Sequence, residues 1–155
     1  MLEGWLDFHR ATLALKCAGL TDRQLRERAV PPSELSLLGL VRHMAEVERS
    51  WFRNRLTDEK AAPLYFSEAD PDGDFHTGED DTWEEAYASW QAEIAYAREV
   101  AAAHTLDQPG TGERQRSTGE PFGLRWIYAH LIEEYARHNG HADLLRECLD
   151  GTTGD

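Results

Sequence analysis

From His130 to Arg146 the chain reads His-Leu-Ile-Glu-Glu-Tyr-Ala-Arg-His-Asn-Gly-His-Ala-Asp-Leu-Leu-Arg, without a proline and with apolar residues at helical spacing. Each residue of a helix turns about 100° around the axis. With His130 at zero, Glu134 falls at about 40°, His138 at about 80° and His141 at about 20°. Three imidazoles and one carboxylate therefore share a narrow stripe. Chemistry explains such a stripe more readily than packing does, because imidazole and carboxylate are ligands of zinc and similar divalent ions. One helix seldom supplies a complete ligand set, so the stripe calls for a second helix packed against it. His43, inside another apolar helical pattern, is the candidate partner.

Four stretches carry helical periodicity. Leu2 to about Leu20 places Trp5, Phe8, Leu13, Leu15 and Ala18 near helical spacing, with Gly19 as a stop. His9 lies within it. Thr21 to Leu35 is a polar connection interrupted by Pro31-Pro32, with room for a helical turn over Asp22–Arg28. Ser36 is a good N-cap for a second helix reaching about Leu56, whose apolar face is Leu37, Leu40, Val41, Met44, Val47, Trp51 and Phe52. Thr82-Trp83-Glu84-Glu85 has the form of a capping box. It opens a third helix to about His104, with Trp83, Tyr87, Trp90, Ile94, Ala97 and Ala101 along one face. A fourth runs from about Phe122 to Leu149 and ends before Gly151, buried by Leu124, Ile127, Leu131, Tyr135 and Leu145. No segment carries a strand signal. The expected fold class is all-α, a four-helix bundle with long crossover loops.

Two connections stand out. Thr57 to Asp81 is acidic, contains Gly and Pro, and reads as a solvated crossover unless it has a function. Its Asp70-Pro71-Asp72-Gly73-Asp74 run lacks the spacing and closing glutamate of a calcium loop. Leu106 to Glu120 is a Gly/Ser/Thr/Pro loop with Arg114 and Arg116, which either balance nearby acids or hold a carboxylate-bearing substrate.

Size and charge narrow the function. The chain has 155 residues, enough for one domain and few for two, so a single domain over 1–155 is expected. Its 29 acidic and 16 basic residues give a net charge of −13. That charge repels nucleic acid and anionic membranes. No apolar run approaches the roughly 20 residues of a membrane span. Met1-Leu2-Glu3-Gly4-Trp5 lacks the basic start and apolar core of a signal peptide. Cys17 and Cys148 are too few for a disulfide framework. A cytoplasmic protein with reduced thiols is expected.

Within the stripe, Glu134 and His138 stand one turn apart at i and i+4, and His138 and His141 stand at i and i+3; either pair could grip one ion. Spacing alone does not choose among His130, Glu134, His138 and His141, and the same histidines would serve as packing or solvent-facing residues. A dinuclear carboxylate centre would need two Glu-x-x-His pairs on separate helices, which the sequence lacks. A mononuclear site with open positions is the reading favoured.

The His130–Arg146 segment followed by Asp150-Gly151, the segment Leu37–Phe52, and the opening Gly4-Trp5-Leu6-Asp7-Phe8-His9-Arg10 together resemble the DinB-like superfamily, in particular its branch of mycothiol-dependent enzymes. The resemblance spans nearly the whole chain. It implies a four-helix bundle holding a divalent metal, zinc first and nickel second, between one residue of helix two and two of helix four. Many members use three histidines; this chain has Glu134 at the earlier helix-four position. A His-Glu-His set is similar to that of the metal-binding domain of mycothiol-dependent maleylpyruvate isomerase. Carried over, the ligands are His43, Glu134 and His138. His130 and His141 then stand beside the metal or face substrate, and Arg137 pairs with a nearby acid. That isomerase has catalytic residues in a further C-terminal domain, so its own reaction is not what the resemblance implies here.

The first function expected is therefore a metal-dependent thiol transferase. The metal stabilises the thiolate of a low-molecular-weight thiol such as mycothiol or bacillithiol, the thiolate attacks a small electrophile, and His141 or His130 carries the proton. A metal-dependent hydrolase using water at the same position is the second. A non-catalytic metal-binding bundle, acting as a stress-response homodimer, is the third.

Overall fold

A computed structural model describes residues 1–154 of the chain. The protein is mostly helical, with five α-helices and one small antiparallel sheet. The helices are α1 (Leu2–Cys17), α2 (Asp22–Leu25), α3 (Leu37–Arg49), α4 (Trp83–Ala102) and α5 (Leu124–Asp150). The strands are β1 (Pro109–Arg114) and β2 (Pro121–Gly123). α1 packs most extensively on α5, and α3 on α4. Leu6, Leu13, Leu40, Met44, Trp90, Leu131 and Tyr135, all without solvent exposure, fill the space between these four. Each such side chain stabilises the fold by about 1.5–3 kcal/mol relative to an exposed one.

Local chemistry sets the helix ends. The Ser36 hydroxyl accepts from the Gly39 amide and starts α3. Gly151 takes a left-handed conformation, φ 76°, and stops α5 where a β-carbon would be strained. The reciprocal capping box occurs at Thr21 and Gln24, opening α2. At Thr82 the hydroxyl accepts from the Glu85 amide, but its second bond goes from that hydroxyl to the Glu85 carboxylate.

Three expectations are amended. The second helix changes its hydrogen-bond ladder at Ser50 and continues to Leu56 as a π-helical turn. The all-α reading also omits the sheet. Its strands are short, contain Gly and Pro, and lack the apolar–polar alternation that marks a strand in sequence. Packing supports them instead: β1 lies so close to the π-helical turn that a β-carbon on Gly112 would fall 1.7 Å from the Asn54 carbonyl oxygen.

The acidic crossover, lastly, is fastened to α3. The buried Arg42 guanidinium donates to the Gly73 carbonyl at 2.9 Å, the His76 carbonyl at 3.1 Å and Asp81 Oδ2 at 2.7 Å. Glu46 Oε1 accepts from the amides of Leu64 and Tyr65 at 2.5 and 2.6 Å. Burial pushes the Glu46 carboxyl up in pKa, and the amides it accepts from partly offset that push. Buried polar groups need such partners, and here the loop backbone provides them. The loop is thereby laid across α3 beside His43.

Candidate metal centre

α3 delivers His43, and one turn of α5 delivers Glu134 and His138. One ligand atom from each of the three lies within 4.8 Å of the others. The i, i+4 spacing places both α5 groups on one face, and the α3–α5 packing brings His43 to them. His138 Nε2 stands 3.5 Å from Glu134 Oε2. The His43 and His138 rings meet edge to face at 4.7 Å. Among the described residues, no hydrogen bond joins the three to one another. They converge without satisfying each other.

Each imidazole is held from behind. His43 Nδ1 lies 2.7 Å from Asp74 Oδ2, so its Nδ1–H donates to a buried carboxylate and Nε2 is the nitrogen left to ligate. The His43 ring also stacks on Phe75 at 4.4 Å. His138 Nδ1 lies 3.3 Å from His141 Nδ1. A proton on His138 Nδ1 satisfies that contact and leaves Nε2 with a free lone pair on the side of Glu134. Burial, with His43, His141 and Arg137 adding to it, lowers the His138 pKa to about 3. The imidazole is neutral at physiological pH, the form that binds metal. The imidazoles of His43 and His138, the Glu134 carboxyl group and Asp74 behind His43 form a donor set suited to a divalent cation.

The structure separates the remaining histidines. His130 lies between Trp126 and Trp51, with ring centroids at 5.0 and 4.5 Å, and its Nε2 faces Glu134 Oε1 at 3.6 Å. Burial lowers its pKa, and Glu134 and Glu133 oppose that shift. His130, Glu133 and Glu134 form a second convergent group that shares Glu134 with the first. His141 touches His138 and otherwise borders Val30, Ser33, Leu35, Leu144 and Leu145, on another side from the cavity beside His43. His9 packs with Trp5 and Phe8 and meets Asn139, apart from His43, Glu134 and His138. His104 Nδ1 takes the Val100 carbonyl at the end of α4. Arg137 pairs with Glu133 and, at 3.4 Å, with Glu134.

A cavity of about 260 Å³ opens beside His43, walled by Glu46, Ser50, Trp51, Arg55, Phe66, Asp72, Asp74 and Phe75. Sequence reasoning missed most of this wall. Asp74 and Phe75 sit in the crossover read as solvated. The one available signal was an acidic run whose charges exceed what a plain connection needs. Arg55 enters through the π-helical turn, which nothing in the sequence announces. Arg114 donates to the Gly119 carbonyl within its own hairpin.

The architecture belongs to the DinB-like, mycothiol-related class. More particularly, the model of the MST, or mycothiol-S-transferase, family matches residues 1–151, and the chain belongs to that family. Among solved structures, a conserved protein from Enterococcus faecalis superposes with a TM-score of 0.67 at 14% identity. The alignment covers 97% of this chain and 96% of that one, and it speaks for a shared fold alone. No curated protein matches the chain significantly.

Proposed function

We propose that the chain is a divalent-metal-dependent S-transferase of four-helix-bundle, DinB-like architecture. It would join a low-molecular-weight thiol, mycothiol or a relative of it, to a small electrophile. The observation that carries this reading is the meeting of His43, Glu134 and His138 within 4.8 Å, unbonded to one another, in a chain of the mycothiol-S-transferase family.

His43, Glu134 and His138 would hold the ion, zinc in the first instance and nickel as the alternative. When bound, the ion supplies Lewis acidity that favours the thiolate of the co-substrate at neutral pH. Asp74 fixes the ring and tautomer of His43. His141 does the same for His138. His130, beside Glu134 and against Trp51, is the group we assign to take the thiol proton. The thiolate then forms a sulfur–carbon bond as a leaving group departs with its electron pair. Phe66, Phe75 and Trp51 give the electrophile an apolar wall.

The test is an assay of purified, metal-loaded protein for thiol-conjugate formation with mycothiol, run beside ester and amide hydrolysis. Conjugation without hydrolysis is expected. Hydrolysis without conjugation would assign the open metal position to water instead.

A further inference from the structure

Among the described residues, Arg55 is the one arginine or lysine on the wall of the cavity beside His43. Its surroundings hold it in place without neutralising it fully. The guanidinium carbon lies 4.4 Å over the Trp51 ring. Nη1 donates to the Ser50 hydroxyl and to the Ser50 carbonyl one π-helical turn back. Nη2 reaches a single carboxylate, Glu113 Oε2 at 3.1 Å, on the largely exposed side chain of β1. Nε makes no bond to the described residues.

Two of the three carboxylates on the wall are engaged elsewhere. Glu46 is capped by two loop amides, and Asp74 is bonded to His43. Asp72 is exposed. Burial disfavours the charge on Arg55, Glu113 favours it, and Arg116, on the hairpin turn, opposes it. A cation stacked on an aromatic ring, half-buried and with one exposed counter-charge, is built to exchange that partner for an anionic ligand.

We infer that Arg55 is a specificity-determining residue that binds a carboxylate on the electrophile, so that the preferred substrates are anionic electrophiles whose reactive carbon lies toward His43. This deepens the S-transferase reading and rests on it for the identity of the reaction. The anion subsite itself stands on the cavity geometry. In the reaction with such a substrate, the sulfur–carbon bond forms, the carbon–halogen bond breaks, and halide leaves with the electron pair. The thiol proton passes to the base, and the carboxylate is unchanged.

The test uses two electrophiles that differ in one group, 4-(chloromethyl)benzoate and 4-(chloromethyl)benzamide, with mycothiol and the zinc-loaded protein. Charged hydrogen bonds of this kind correspond to a preference of about 10- to 100-fold in kcat/KM for the benzoate. Arg55→Gln is expected to bring the ratio close to one, chiefly through KM. Arg55→Lys is expected to keep part of it. Glu113→Gln, which removes the competing carboxylate, is expected to raise it. Calorimetric titration with the unreactive 4-methylbenzoate and 4-methylbenzamide gives a readout that needs no turnover. Binding of the benzoate that weakens about tenfold or more in Arg55→Gln supports the subsite even if neither chloride is conjugated, and the failure then falls on the transferase reading. Conjugation of both chlorides at equal efficiency, with benzoate binding the same in wild type and Arg55→Gln, would overturn the inference and leave that reading standing.

Discussion

Asp74 and Glu48 are both buried carboxylates of this acidic chain, and they do different things. Asp74 accepts from His43 Nδ1 at 2.7 Å and decides which nitrogen of that ring is free. Asp74→Ala is expected to weaken zinc binding about 10–100-fold, as loss of a carboxylate behind a ligating histidine generally does; competition titration against a chelator measures it. Glu48 has no exposure and holds Arg10 through both oxygens at 2.8 Å. It also accepts from Tyr135, whose oxygen in turn accepts from Trp90 Nε1. Glu48→Ala leaves the buried guanidinium with Asp7 alone and is expected to cost about 3–5 kcal/mol in chemical denaturation. Replacing Arg10 and Glu48 together by Met and Leu is expected to cost far less. At this scale the sequence was partly legible. Glu134 and His138 were legible as members of one helix face, but so were His130 and His141, and spacing did not single out the pair. Asp74 did not, because an acid in a long polar loop has the same local signature whether solvent or an imidazole receives it.

The π-helical turn over Ser50–Leu56 and strand β1 work as a pair. The turn carries Ser50, Trp51 and Arg55 to the cavity, and β1 runs against its backbone. Gly112 permits that approach. Gly112→Ala forces the two apart and is expected to cost about 1–3 kcal/mol. It is also expected to speed amide hydrogen exchange across 50–56 more than in α1. Uniform exchange rates with unchanged stability would show that the contact is dispensable. The long helices were readable from their apolar period, and Ser36, Gly19 and Gly151 from their capping chemistry. The switch to a π ladder was not, because Trp51, Phe52 and Leu56 keep an apolar period compatible with an ordinary helix. β1 and β2 were not readable either, since what orders them is a neighbour remote in sequence.

At the scale of the molecule the net charge is −13, and among the described residues no helix is long and apolar enough to cross a membrane. Stability against acid turns on a few pairs between elements. Asp7 joins α1 to α4 through Arg98 at 2.9 Å and also meets Arg10. Burial raises its carboxyl pKa, but the two arginines outweigh that and hold it below the usual carboxylate value. A depressed folded pKa contributes stability above the unfolded value of about 3.9, and that stability is lost as pH falls through the folded value. Asp7→Asn is therefore expected to be less stable than wild type at neutral pH, with the difference closing as pH falls through the lowered folded value, as thermal melts across the acid range would register. A difference independent of pH would mean that Asp7 acts through packing. The His43, Glu134 and His138 group draws on helices distant in sequence, and whether it holds a metal is the point on which the proposed function depends. Elemental analysis of the protein as isolated, with zinc titration of wild type, His43→Ala and His138→Ala, tests it most directly. One tightly held divalent ion per chain in wild type, and none retained in either variant, is the expected result. Full occupancy in both variants would contradict it.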